Sequence, residues 1–217
     1  DKPKEKAHIG GVAIVFIVIF FIAQMVCSPT MMNFSGLMAA EIAGQSATSV
    51  AGIAGTLLSV FVLAGAVGSA LLNKFIKGLG KFTGAVMMVI CAIGIYIVSI
   101  ADSVAMFTIG ICVFGFAWCT VIPMFNFEAA NVTNKAGLAM VASLLWALAN
   151  VGNFLSSYWL MFIYGMIGAD QLAPSAADMS APLVAGAIIF VVLAVVWIVV
   201  NLSNKAWKAG NSTEDAE

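Results

Sequence analysis

A few amides, hydroxyls, thiols and indoles recur at helical spacing inside otherwise apolar runs. Ser143, Trp146, Asn150, Asn153 and Ser157 follow one another at steps of three and four, which places them in one stripe on one helix face. Amides in hydrocarbon are costly unless partnered, so this stripe is expected to look inward, at protein or water. Gln24, Ser28 and Asn33 form a second polar set. Cys112, Phe116, Cys119 and Asn126 form a third, with Trp118 beside it and Pro123 as an expected bend. Amides and aromatic rings at this spacing can hold a small organic solute by hydrogen bonding and stacking. The same amides also serve as glue between membrane helices, and for Gln24 and Asn150 both readings stay open. Ser143, Ser157 and the cysteines read as packing groups.

Other chemistries find no support. The sequence has no nucleophile–base pair, metal cluster or phosphate loop, so an enzyme is not expected and no cofactor is implied. The lone histidine, His8, reads as an interfacial residue. Glu41 and Glu128 are the acids nearest the apolar runs, and both are placed at an interface, where solvated carboxylates are ordinary. The chain has no arginine and no basic patch, which removes nucleic acid as a partner. Cys27, Cys91, Cys112 and Cys119 fall inside apolar runs and read as small packing residues rather than disulfides or ligands.

These residues must be positioned by helices in a bilayer. Hydrophobic residues make up 63% of the chain and charged ones 9%, too few to cover a water-facing surface, and the mean hydropathy is +1.09. The apolar runs are unbroken for about 20 residues, which predicts membrane helices rather than the short alternating strands of a barrel. Six spans are predicted: about Ile9 to the mid-30s with a kink near Pro29, about Thr48 to Leu72, about Phe82 to Ala101, about Val104 to Phe127, about Gly137 to Ile163, and about Pro182 to Val200. The fold class is therefore all-α and polytopic. Residues 1–8 form a cytoplasmic linker or N-terminal segment, 9–201 a six-helix bundle, and 202–217 a cytoplasmic tail. All nine lysines fall on one side of that topology, whereas Glu41, Asp102, Asp170 and Asp178 fall on the other. Lysine-rich short loops stay inside, so both termini are expected in the cytoplasm, with a bacterial inner membrane as the setting. Along the second span, Gly52, Gly55, Ser59, Gly65 and Gly68 place small residues near one face, a surface another helix can approach closely.

The stretch from Gly68 to Lys81 is basic and glycine-bearing, and predicts a tight turn between the second and third spans. With Gly68 or Ser69, Asn73, Lys74, Gly78 or Gly80, and Lys81, it resembles the loop signature of the major facilitator superfamily. Asn73 replaces the commoner acid, no arginine follows, and the spacing is longer, as in the looser copy of that family's carboxyl-terminal half. The segment Ala149 to Tyr158 is similar to part of the family's eleventh helix. The resemblance implies two six-helix bundles with substrate held between them and exposed alternately to each side. It further implies that the first, second, fourth and fifth helices of a half line the pathway, here those carrying Gln24, Ser59, Trp118 and Asn150, while the third and sixth face lipid. For Gly68, Asn73, Lys74, Gly78, Gly80 and Lys81 it implies a conformational role.

The expected function is secondary active transport of a small organic solute, this chain being one six-helix half. The set expected along the pathway is Gln24, Ser28, Asn33, Ser59, Phe116, Trp118, Cys119, Trp146, Asn150 and Asn153. The first residue is Asp1, which predicts a processed chain or a piece of a longer one. Partners follow: the lipid bilayer, the solute, and an amino-terminal half or a second copy, because polar stripes cannot face lipid. The rival reading is a non-transporting membrane subunit or scaffold whose stripes bind neighbouring helices.

Overall fold

A single glycine turns the chain where the sequence predicts a loop. The computed structural model describes residues 9–26, 38–42, 44, 50–170 and 174–203, and these are almost wholly helical. Six helices exceed ten residues among them: α1 (Gly11–Val26), α2 (Val50–Leu79), α3 (Thr83–Ser99), α4 (Val104–Asn131), α5 (Lys135–Ile167) and α6 (Ala176–Ser203). A short helical piece covers 38–42.

The stretch Gly68 to Lys81 is therefore mostly not a loop. Helix α2 continues to Leu79, so Gly68, Asn73, Lys74 and Gly78 are helical, and the reversal is confined to the 3-10 turn Gly80–Phe82. Gly80 alone within it has positive φ, +57°, a conformation that a side chain would strain. The Thr83 hydroxyl donates to Gly80 O at 2.7 Å and to Phe75 O at 3.2 Å, tying the start of α3 back to the end of α2.

Four helical stretches are long and apolar enough to cross a membrane: Ala51–Ser99, Val104–Asn131, Lys135–Ile167 and Ala177–Ser203. The first is α2 and α3 together with the turn at Gly80. Helix α1 is equally apolar but its described part has 16 residues, about 24 Å at 1.5 Å per residue. Its predicted continuation through Ser28, Pro29 and Asn33 lies outside the described residues, as do residues 1–8 and the tail beyond Ser203.

Helix α4 is the common partner. It packs along α2 on one side and α3 on the other, and glycines set both distances. A methyl group built on Gly94 would lie 2.6 Å from Phe114 N and 2.9 Å from Phe114 Cα; one on Gly115 would lie 2.5 Å from Phe61 O. Backbone thus touches backbone, as between membrane helices generally, where van der Waals contact replaces the hydrophobic drive. The other main seams join α1 to α5 and α3 to α6. Trp197 of α6 lies against Gly84 and donates its indole N–H to Lys81 O at 3.1 Å, while Lys81 Nζ donates to Asn201 O at 3.1 Å. The Gly80 turn is thereby stapled to the end of α6, with a cation at a helix C-terminus where the macrodipole favours it.

These contacts also order the ends. Helices α2 and α4 run the same way, because Phe61 meets Gly115 and Gly68 meets Thr120. Helices α3 and α4 run oppositely, with Gly94 at Phe114 and Gly110 at Val98. The start of α1 bridges the link after α4 through Ile9 and Thr133. Lys74, Lys77, Lys81 and Lys135 therefore share one end of the bundle, and Asp102, Asp170 and Asp178 the other.

Gly94→Val should destabilise the bundle by about 1–3 kcal/mol or more, since the added atoms meet backbone that cannot yield. Gly78 has open space around it, so Gly78→Ala should instead be neutral or stabilising, by at most about 1 kcal/mol. Thermal unfolding of the two variants in detergent checks both signs.

Candidate functional site

Helix α5 starts where the Asn134 side chain accepts the Gly137 N–H at 3.0 Å. It ends at Gly168, left-handed at φ +71°, with Ala169 N donating back to Tyr164 O at 3.0 Å. Between these caps, two faces differ sharply. Val141, Leu145, Ala149, Gly152, Ser156, Leu160 and Ile163 are buried. Ser143, Trp146, Asn150, Asn153 and Ser157 are all exposed. The predicted stripe exists as one face, but within this chain it points out of the bundle rather than into it. Of the most apolar part of α5 only 22% is buried, against 50% for α4, so α5 is the least covered of the long helices.

The buried face of α5 is small because α1 lies close. A methyl group on Gly152 would sit 3.0 Å from Phe21 O and 3.1 Å from Met25 N. Trp146, half exposed at 51%, meets the Phe20 ring edge-on at 6.5 Å. The Asn150 amide donates to Trp146 O at 2.8 Å, which fixes the side chain on the helix surface and leaves its oxygen for an outside donor. Further along, Phe154 and Tyr158 are 70% and 60% exposed, with ring centroids 6.2 Å apart. These two aromatics extend the exposed face and were not among the expected pathway residues. Their signal was present as four-residue spacing from Asn150, but aromatic residues in an apolar run read equally well as lipid-facing.

The remaining expected residues fall into separate places. Ser59 is exposed on α2, its hydroxyl bonded to Gly55 O at 2.8 Å. Phe116 and Cys119 are partly buried along the α2–α4 seam, Phe116 edge-on to Phe75 at 6.0 Å and Cys119 beside Gly65. Trp118 is core. It is 2% exposed and packs among Phe20, Phe114 and Phe190, with centroids at 6.3, 5.9 and 5.7 Å. Gln24 is 5% exposed on α1 at the α5 seam, and its Oε1 has no hydrogen-bond partner among the described residues. Ser28 and Asn33 lie outside the described residues. Trp146, Asn150 and Asn153 are thus brought together on one surface, whereas Gln24 and Trp118 sit behind it and Ser59, Phe116 and Cys119 lie elsewhere. Of the basic stretch, Gly68 is buried against Phe116 O and Thr120, Asn73, Lys74 and Gly78 are exposed, and Lys81 is tied to α6.

Glu128 departs from expectation. Placed by sequence at a solvated interface, it is instead fully buried and has a partner within the protein. The start of α1 reaches the link just after α4 through a strand-like contact of Ile9 with Thr133. Among the described residues no group of three or more His, Cys, Asp or Glu could hold a metal ion, and no disulfide joins Cys91, Cys112 and Cys119.

The chain matches no protein-family model, and no curated protein and no solved structure is significantly similar to it.

Replacing Gln24 by Met, close in volume and without the amide, removes a buried acceptor that has no donor among the described residues. Such a group costs about 1–3 kcal/mol, so Gln24→Met should raise the unfolding temperature of the purified protein. A lowered unfolding temperature would mean that the amide does have a partner in the folded protein.

Proposed function

We propose that this chain is one six-helix half of a secondary transporter of the major facilitator type, and that the exposed face of α5 lines the path of a small organic solute. One observation carries the reading. A helix long and apolar enough to span a membrane turns its amides and hydroxyls, Asn150, Asn153, Ser143 and Ser157, away from its own bundle. Lipid cannot accept those groups at low cost, and on this reading a second bundle, with a water-filled path between the two, faces them. The outward face of α6 makes the contrast. Ile188, Val191, Val192, Val195 and Val199 are exposed there and offer hydrocarbon only, as a lipid-facing helix should.

The six spans, both termini in the cytoplasm and a bacterial inner membrane belong to the same proposal. The gathering of Lys74, Lys77, Lys81 and Lys135 at one end supports the orientation. The solute is uncharged, or brings its counter-charge from the other half, because the exposed α5 face from Ser143 to Ser157 carries no ionisable group. Trp146 and Tyr158 supply ring faces, and Asn150 and Asn153 supply donors and acceptors. Lys81 and the Gly80 turn act on conformation by fixing the start of α3 to the end of α6.

The scaffold reading predicts the same exposed stripe covered by protein, which gives a direct test. Single cysteines at positions 150, 153, 188 and 192 are treated with a membrane-impermeant maleimide in native membranes. Asn150→Cys and Asn153→Cys should label at least about tenfold faster than Ile188→Cys and Val192→Cys, because only the first two meet water. Equal protection at all four positions would sink the transport path and leave helix glue.

A further inference from the structure

Proline at position 123 leaves a fault inside α4. It has no N–H to give to the carbonyl four residues earlier, that of Cys119, although the helix runs on to Asn131. In a bilayer an open carbonyl is expensive, and membrane helices tolerate proline where a neighbouring hydroxyl closes the gap. Here the Ser69 hydroxyl of α2 donates to Cys119 O at 2.8 Å. It reaches because α2 lies almost on α4: Gly65 abuts the Cys119 side chain, and a methyl group on Gly68 would meet Thr120 Oγ1 at 2.5 Å.

The same helix shows what this hydroxyl would otherwise do. Thr56 and Ser59 each donate to the glycine carbonyl four residues back, Gly52 O at 2.9 Å and Gly55 O at 2.8 Å. Gly65 and Ser69 have that same spacing, so a second acceptor lies ready on Ser69's own helix. Ser69 is exposed at the rim of the seam.

We infer that Ser69 is a two-position latch between α2 and α4: bonded to Cys119 O it closes the fault at Pro123 and holds the seam, and turned to Gly65 O it frees the end of α4. That end carries Asn126 and the buried Glu128, so the latch bears on their placement. Release leaves the Cys119 carbonyl open, which keeps the latched position favoured until water or a movement of α4 supplies another partner. The geometry is local to α2 and α4 and stands whether or not a solute passes along α5.

The test uses Cys119 as reporter in the full chain, with Cys27, Cys91 and Cys112 replaced by alanine, and follows its alkylation by a membrane-permeant maleimide. Thr and Val have the same shape and differ in the hydroxyl. Ser69→Val should speed alkylation about fivefold, the equivalent of one ordinary hydrogen bond, while Ser69→Thr keeps the native rate. Pro123→Ala restores the missing N–H, and in that background the Val and Thr variants should react alike. Equal rates for Val and Thr with Pro123 present, or a difference that persists in Pro123→Ala, overturn the latch. Should Ser69→Val fail to fold, recovery of folding by Pro123→Ala supports the latch and failure to recover overturns it.

Discussion

The approach of α4 to two neighbours at backbone distance governs this bundle. Between membrane-length helices there is little hydrophobic gain to be had, because lipid tails are as apolar as leucine, so contact area at short range has to hold the helices together. Gly110 and Gly115 on α4, with Gly94 on α3 and Gly65 and Gly68 on α2, remove the side chains that would keep the backbones apart. Large rings then fill what the glycines leave: Phe114 and Trp118 stack at 5.9 Å, and Phe125 meets Trp197 edge-on at 5.1 Å. The order of the other helices follows from this, with α2 and α3 on α4, α6 on α3, and α1 bringing α5 to the remaining side.

Polar groups are sorted by the same economy of contact. Where α4 is interrupted by Pro123, a hydroxyl from α2 reaches the exposed carbonyl. Where α2 turns into α3, the Thr83 hydroxyl and the Trp197 indole donate to the Gly80 and Lys81 carbonyls, and the Lys81 ammonium reaches Asn201 O at the end of α6. Asn150 and Thr120 bond back to their own helices, Asn150 to Trp146 O and Thr120 to Phe116 O. Helix α5 keeps a polar face uncovered along the least buried of the long helices among the described residues, and that is why a second bundle enters the functional reading.

Much of this was legible from residue order. The steps of three and four from Ser143 to Ser157 identify one face of α5 whatever surrounds it, since 3.6 residues per turn leaves no choice. Of the small residues expected to form one close-packing face on α2, Gly65 and Gly68 do meet α4, whereas Gly52 and Gly55 have open space around them and Ser59 is exposed, because α4 lies only along the later part of α2. Other features were misplaced for physical reasons. Lysines and glycines after Leu72 looked like a loop, yet helix propagation past Asn73 and Lys74 costs little, and only the positive φ of Gly80 stops it. Glu128 reads as solvated because counting along α4 gives its depth and says nothing of what packs around it, and it is fully buried.

Residue order by itself determined that the chain forms apolar helices of membrane length, where they turn to within several residues, and which residues share a face. Those properties depend on local hydropathy and on helical period, which are written in consecutive residues. Tertiary structure decided which way each face looks. Trp118 and Gln24 went into the core while Trp146 and Asn150 went to the surface, although all four sit in similar apolar settings in the sequence. It also decided that the hydroxyl answering Pro123 is Ser69, some fifty positions earlier. Such pairings depend on which helices meet and at what distance, and that is settled by glycines on one helix facing backbone on another, which no single stretch of sequence contains.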